Sequence, residues 1–172
     1  AGAWAEAIRR TQAHERNRSA IADVIAAQQA RRGAPQAALD AGRLLADRQT
    51  VAVVTGQQAG LFGGPLFTLL KALTALKLAA QVTRDHGVPA VAIFWIDAED
   101  HDWDEVRGCT VLDGQLAARN IALPGRPVAD HAPVATVSLD ATITAALDEL
   151  EQLLPPTEFR PALMQDLRTA YA

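Results

Sequence analysis

The sequence is poor in cysteine, aromatics and lysine. One cysteine, Cys109, stands among 172 residues, which excludes a disulfide framework and any zinc site built from several cysteines. Aromatic residues make up 5% of the chain, too few for a core of stacked rings. Alanine is plentiful at 36 residues and points to a helix-rich, closely packed core. No apolar run approaches the ~20 residues that a membrane-spanning helix needs. The opening AGAWAEAIRR has no apolar segment behind a basic end, so nothing reads as a signal peptide. Without an initiating methionine, the chain reads as a piece of a cytoplasmic protein, processed or cut from a longer one.

Excess positive charge is also missing. The net charge is −4 and the pI about 5.5, whereas a protein that binds nucleic acid by neutralising phosphates is usually basic. The charge is uneven. Asp97, Glu99, Asp100, Asp102, Asp104 and Glu105 fall in one stretch without a lysine or arginine, while the first fifty residues carry eight arginines against five acids. Lys71 and Lys77 are the only lysines, against 14 arginines. Apolar residues at 49% and charged residues at 21% exclude a disordered tail and suit one domain's worth of chain.

Residues 3–31 read as one long exposed helix with sparse apolar points at Trp4, Ile8, Ile21, Val24 and Ile25, broken at Gly33-Ala34-Pro35. A second helix over 36–47 carries Ala38, Ala41, Leu44 and Leu45 on one face. Val51 to Val54 then reads as a strand buried on both faces and ending at Thr55-Gly56. A glycine-rich loop follows to Gly64, and Pro65 opens a helix to about 85 with an apolar stripe of Leu66, Leu69, Leu70, Leu73, Leu76 and Ala80. Val91 to Ile96 is a second buried strand, completing a β-α-β unit whose crossover is expected to be right-handed.

Beyond the acidic stretch, Cys109 to Leu112, Asp113-Gly114 and the residues from Gln115 onward read as a hairpin with a tight turn. Pro124, Pro127 and Pro133 mark a loop, Val134 to Ser138 a short strand, and Asp140 the cap of a helix to about 154 with Ile143, Ala146, Leu147, Leu150 and Leu153 inside. Pro155-Pro156 stops that helix, and a last one spans about 161–171. The domain reading is an N-terminal helical segment, 1–50, and part of an α/β core, 51–172.

Two loops carry the chemistry. The first, Gly56-Gln57-Gln58-Ala59-Gly60-Leu61-Phe62-Gly63-Gly64, sits between strand and helix, where backbone N–H groups and the helix dipole favour an anion. It lacks the Lys-Ser/Thr of a Walker loop and the G-x-G-x-x-G spacing, so a plain tight turn stays open beside an anion or ligand loop. Lys71, in the next helix, leans back toward it or is a surface lysine. The second is Glu99-Asp100-His101-Asp102 with Trp95 and Trp103 beside it. It lies past the end of the second strand, where open α/β sheets place ligands. The carboxylates suit an amine or a cation and His101 suits proton transfer; a solvated acidic loop is the alternative. A right-handed unit puts both loops on one edge of the sheet. His14, His86 and His131 read as surface or capping residues and Cys109 as a structural thiol.

The stretches TGQQAGLFGGPLFTLLKALTALKLA and VPAVAIFWIDAEDHDWDEV closely resemble the bacillithiol biosynthesis cysteine-adding enzymes, the BshC family, most strongly over residues 51–106. The resemblance implies an α/β, Rossmann-like (nucleotidyltransferase-like) core with parallel strands, preceded by helices and followed by a small hairpin and helices. The chain would be a fragment, because family members continue through the rest of the core and a dimerising coiled coil. It implies a carbon–nitrogen ligase of thiol metabolism that joins cysteine to glucosaminyl malate in the last step of bacillithiol biosynthesis, with ATP or another activated donor, acting as a cytoplasmic homodimer without nucleic acid or membrane. The candidate catalytic residues are His101, Asp100 and Lys71. The candidate substrate- or anion-binding residues are Gly56, Gln57, Gln58, Gly60, Gly63, Gly64, Trp95, Glu99 and Asp102, and no metal is assigned. A nucleotidyltransferase-like enzyme on another substrate and a non-catalytic ligand-binding fragment are the alternatives. The isolated fragment is expected to be inactive.

Overall fold

The structure is a computed structural model that describes residues 2–125 and 132–171; Pro127 and His131 fall outside the described residues. Its elements are α1 (Gly2–Ala13), α2 (Arg18–Arg31), α3 (Gln36–Leu44), β1 (Val51–Gln58), α4 (Leu66–His86), β2 (Ala90–Asp97), α5 (Trp103–Val106), β3 (Gly108–Leu112), β4 (Ala118–Ala122), α6 (Thr142–Leu153) and α7 (Arg160–Ala170), with short 3₁₀ turns at Leu61–Gly63 and Val134–Thr136. Strands β1 and β2 pair in parallel around the α4 crossover, as expected. The chain divides into two compact units, Ala1–Gly56 with Leu69–Trp95, and Gln57–Thr68 with Ile96–Ala172.

In the first unit the expected single helix is two. The Asn17 side chain accepts the Ala20 N–H at 3.3 Å and caps α2 afresh. Just upstream, the Arg16 guanidinium donates to the carbonyls of Thr11 at 2.6 Å and His14 at 3.2 Å, holding the end of α1 in a turn. Helices α2 and α3 form a tight pair. Gln29 donates to the Ala38 carbonyl at 2.7 Å, and a Cβ on Gly42 would meet its Oε1 at 2.6 Å. Helix α3 ends earlier than expected, at Leu44, which is exposed, while Leu45 is buried. Arg18 holds the following turn by donating to the carbonyls of Asp47 at 3.2 Å and Thr50 at 3.0 Å.

The buried strands and the leucine stripe need correction. The apolar cluster of the first unit is Ile8, Val51 and Val82, with Leu78, Val88 and Ala90 packed against it. It covers only the strand starts: Val51 and Val91 are buried, but Val54 is 63% exposed and Trp95 61%. Helix α4 turns Ala75, Ala79 and Val82 inward and leaves Leu66, Leu69, Leu70, Leu73 and Leu76 exposed. Its small residues allow a close approach that leucine would block. Helix α4 is also long and apolar enough to cross a membrane by length and composition, with 17% of that stretch buried. A parallel crossover lays its helix alongside both strands.

The second unit has the larger core: Leu61, Trp103, Val106, Ile121, Leu123, Ile143, Ala146, Leu147, Leu150 and Met164. The inner face of α6 is the one its periodicity indicates, and the Asp140 carboxylate accepts the Thr142 N–H at 2.9 Å at its start. The core is more aromatic than composition suggests, since Trp103 is buried within it and Phe62 and Tyr171 pack against it. The expected strand at 134–138 is instead a 3₁₀ turn. Its N–H groups are committed elsewhere, Val134 to the Asp100 carbonyl at 2.7 Å and Ala135 to the Ala98 carbonyl at 2.9 Å. The hairpin β3–β4 is antiparallel, but its turn is five residues long. Leu112 pairs with Ala118, and Asp113 organises residues 113–117 by accepting the N–H groups of Gln115 and Ala117. Leu116, at φ 62°, supplies the left-handed residue in place of Gly114.

Candidate functional site

The polypeptide leaves β1 through Gln57 and Gln58 and closes a compact loop. The Gly60 N–H donates to Gln58 O, Gly63 to Gly60 O and Gly64 to Leu61 O, at 3.0, 3.1 and 3.0 Å. Gly60 has to be glycine: a Cβ there would lie 2.8 Å from the Cα of Gly64. Phe62 is left-handed at φ 54°, and its N–H donates to the Tyr171 hydroxyl at 2.9 Å. The two rings meet edge to face with centroids 5.8 Å apart. Four loop amides are thus committed within the protein, so a phosphate finds no ready cradle of N–H groups in this conformation.

The side chains supply the recognition groups instead. Gln58 donates through its one amide nitrogen to Asp100 Oδ2 and to Glu105 Oε2, both at 3.1 Å, and Gln57 donates to Gln58 Oε1. The glycine loop and the acidic cluster are therefore joined directly. Asp100 is the hub. Its Oδ1 also accepts the N–H groups of His101 at 2.6 Å and Asp102 at 3.1 Å. These bonds, the Asp102 amide's first, then those of Gln58 and His101, hold its carboxyl below the usual range against a smaller desolvation effect. His101 is 60% exposed with Nδ1 3.8 Å from Asp100 Oδ1. Asp102 accepts the Glu105 N–H at 3.1 Å and starts α5, and Glu99 is exposed.

A cleft of about 500 Å³ opens beside this cluster, lined by Gln57, Gln58 and Gly60 on one side, the first turn of α4, α5, and the hairpin. Thr110 and Asn120 line it. Sequence reasoning missed both, because a two-residue Asp113-Gly114 turn would have put Thr110 opposite Ala117. The observed register puts Thr110 opposite Asn120. Tyr171 was also missed, and no local pattern points to it. Burial pushes the Cys109 thiol up, which makes it less nucleophilic.

Of the remaining candidates, Lys71, Gly56 and Trp95 lie in the first unit and Gly63 and Gly64 in the second. Lys71 Nζ donates to the Gly56 carbonyl at 3.2 Å and so holds the backbone there. A Cβ on Gly56 would lie 2.6 Å from both Trp95 Cδ1 and the Trp95 carbonyl oxygen, so this glycine serves close strand pairing. Gly63 and Gly64 take positive φ, 91° and 74°. Among the described residues no group of three or more His, Cys, Asp or Glu is placed to hold a metal ion.

Comparison with known proteins gives one family. The model described as bacillithiol biosynthesis BshC, N-terminal Rossmann-like domain, matches residues 1–172. A relative from Symbiobacterium thermophilum, whose name describes a cysteine ligase, BshC, is 40% identical over 90% of the chain. One of the same name from Salinibacter ruber is 36% identical over 90%. A third, from Solibacter usitatus, is 47% identical over 56%. The chain spans 28% of the length of the first two and 18% of the third.

Proposed function

Since the chain belongs to the BshC family through its N-terminal Rossmann-like domain, we propose that the complete protein is a cytoplasmic, homodimeric ligase. It joins the carboxyl of cysteine to the amine of glucosaminyl malate, the last step in making bacillithiol. The observation that carries this reading is the bridge from Gln58 to Asp100 and Glu105, which ties the amides and Glu105 that line the cleft to the Asp100–His101 pair.

Amide formation needs an unprotonated amine beside an activated carboxyl. Glu105 attracts the amine as its ammonium ion and orients it. His101, fixed by its own N–H on Asp100 and open to solvent, takes one proton from the ammonium, and the freed lone pair attacks the activated carboxyl; the C–N bond forms as the C–O bond to the activating group breaks, that group leaves with the electron pair, and the second N–H proton passes to water. Asp100, kept ionised by its three donors, positions His101 and supports its positive charge. The loop amides are occupied, so activation of the carboxyl by ATP or another donor falls to groups outside Gly60–Gly64. With the chain spanning 28% of its relatives, the 172 residues alone are expected not to ligate.

The test supplies cysteine, glucosaminyl malate and ATP to the complete protein and follows the cysteine adduct by mass spectrometry. His101→Ala is expected to cut turnover by ~10²-fold or more with an unchanged melting curve. Near-normal turnover would remove His101 from the chemistry, and no cysteine-dependent product would favour a nucleotidyltransferase-like reaction on another substrate.

A further inference from the structure

The face of the hairpin that lines the cleft is built differently from the face that meets the core. Strand alternation turns Val111 and Ile121 toward the apolar cluster, where Ile121 is 1% exposed. The same alternation turns Thr110 and Asn120 outward, where both line the cleft. The two stand directly opposite in the ladder, and the Thr110 hydroxyl donates to Asn120 Oδ1 at 3.3 Å. That bond orients the amide so that its two N–H donors point away from the threonine, while the Thr110 oxygen keeps its lone pairs. Gly108 and Ala122, also paired, flank them and keep the wall low. The result is a fixed donor–acceptor pair on a flat surface.

The rest of the lining carries complementary chemistry. Arg107 is engaged by Asp104 and the Leu123 carbonyl, at 2.8 Å each, which neutralises Asp104 and leaves Glu105 as the uncompensated charge. Phe67, 46% exposed, adds an apolar ring face. A cleft of about 500 Å³ lies within the range of small-molecule sites, about 300–1,000 Å³. Neighbouring hydroxyls match the Thr110–Asn120 pair, a ring's C–H face matches Phe67, and an amine matches Glu105.

We infer that Thr110 and Asn120 are the specificity-determining residues of this cleft, reading ring hydroxyls of an amino-sugar acceptor whose amine faces Glu105. The inference rests on the ligase reading proposed above and adds to it residues outside the glycine loop and acidic motifs. Neither residue touches the reacting atoms; they hold the acceptor with its amine at Glu105.

The experiment compares wild type with Thr110→Val, Asn120→Leu and the double variant in the complete protein. The double variant is expected to raise KM for glucosaminyl malate about tenfold, the scale of a lost hydrogen-bonded pair, while kcat and KM for cysteine stay unchanged. Thr110→Ser, which keeps the hydroxyl, is expected to behave as wild type. An unchanged acceptor KM in the double variant would overturn the inference, as would an equal rise in KM for cysteine. A wild-type protein that forms no cysteine adduct would sink the ligase reading alone. The inference is then decided by titrating methyl glucosaminide into wild type and double variant and following NMR shifts. Binding at least tenfold weaker in the double variant upholds it, and equal binding or none in both overturns it.

Discussion

Replacing Tyr171 by phenylalanine removes one oxygen and little else. The aromatic ring stays, so its edge-to-face contact with Phe62, at 5.8 Å between centroids, is retained. What disappears is the acceptor for the Phe62 N–H, bonded at 2.9 Å in a partly buried setting. A donor stranded there costs about 1–3 kcal/mol. The loop has little in reserve, because a left-handed conformation at a residue with a side chain already costs roughly 1–2 kcal/mol. Partial exposure lets water replace some of the lost bond, which favours the lower half, about 1–2 kcal/mol. In a chain of this size each kcal/mol shifts the midpoint by about 2–4 °C, so Tyr171→Phe is expected to melt about 2–8 °C lower. Calorimetry measures that shift, and hydrogen exchange at the Phe62 amide reports the bond itself. A melting point within about 1 °C of wild type, with Phe62 exchange unchanged, would refute the reasoning and leave Tyr171 as a packing residue.

Gly60→Ala places a Cβ 2.8 Å from the Gly64 Cα. It is expected to cost about 1–3 kcal/mol in melting experiments and to open the Gly63–Gly60 bond, visible as faster exchange at Gly63. Ile121→Val, at a site 1% exposed, is expected to lose about 0.5–1.5 kcal/mol in urea unfolding; no loss would contradict the placement of that face in the core. Asp100 has a folded pKa below its ordinary 3.8, so its contribution to stability is complete above that value and is lost as pH falls through the lowered folded value. Asp100→Asn should therefore flatten the acid limb of a stability–pH curve below about pH 4 and leave its neutral region level; an unchanged acid limb would count against the hub.

The regular amphipathic elements were legible from the sequence. Pro65 opens α4, Gly87 ends it at φ 66°, and α6 buries the face its spacing indicates. The joining of the two motif loops was legible too, because one strand order and one crossover decide it. Helix α4 misled because hydrophobicity ranks leucine over alanine, whereas close packing selected Ala75 and Ala79 for the buried face. The hairpin misled because Asp113 caps its own turn and Leu116 accepts the left-handed role, so Gly114 does not set the turn and the register moves. Tyr171 lies 109 residues from Phe62, and contacts at that separation leave no periodic trace.

The pairing of Thr110 with Asn120 also sets how the segment can vary in length. A strand has two faces and a period of two. Deleting one residue inside β4 would therefore turn Ile121 toward water and drive polar neighbours into the core, whatever residues remained. Insertions at the tip, within 113–117, leave the ladder untouched. Across species, chains of this kind should gain and lose residues freely at the tip. Within the strands they should change in twos or at bulges, so that alignment gaps, more than substitutions, mark out the wall of the cleft.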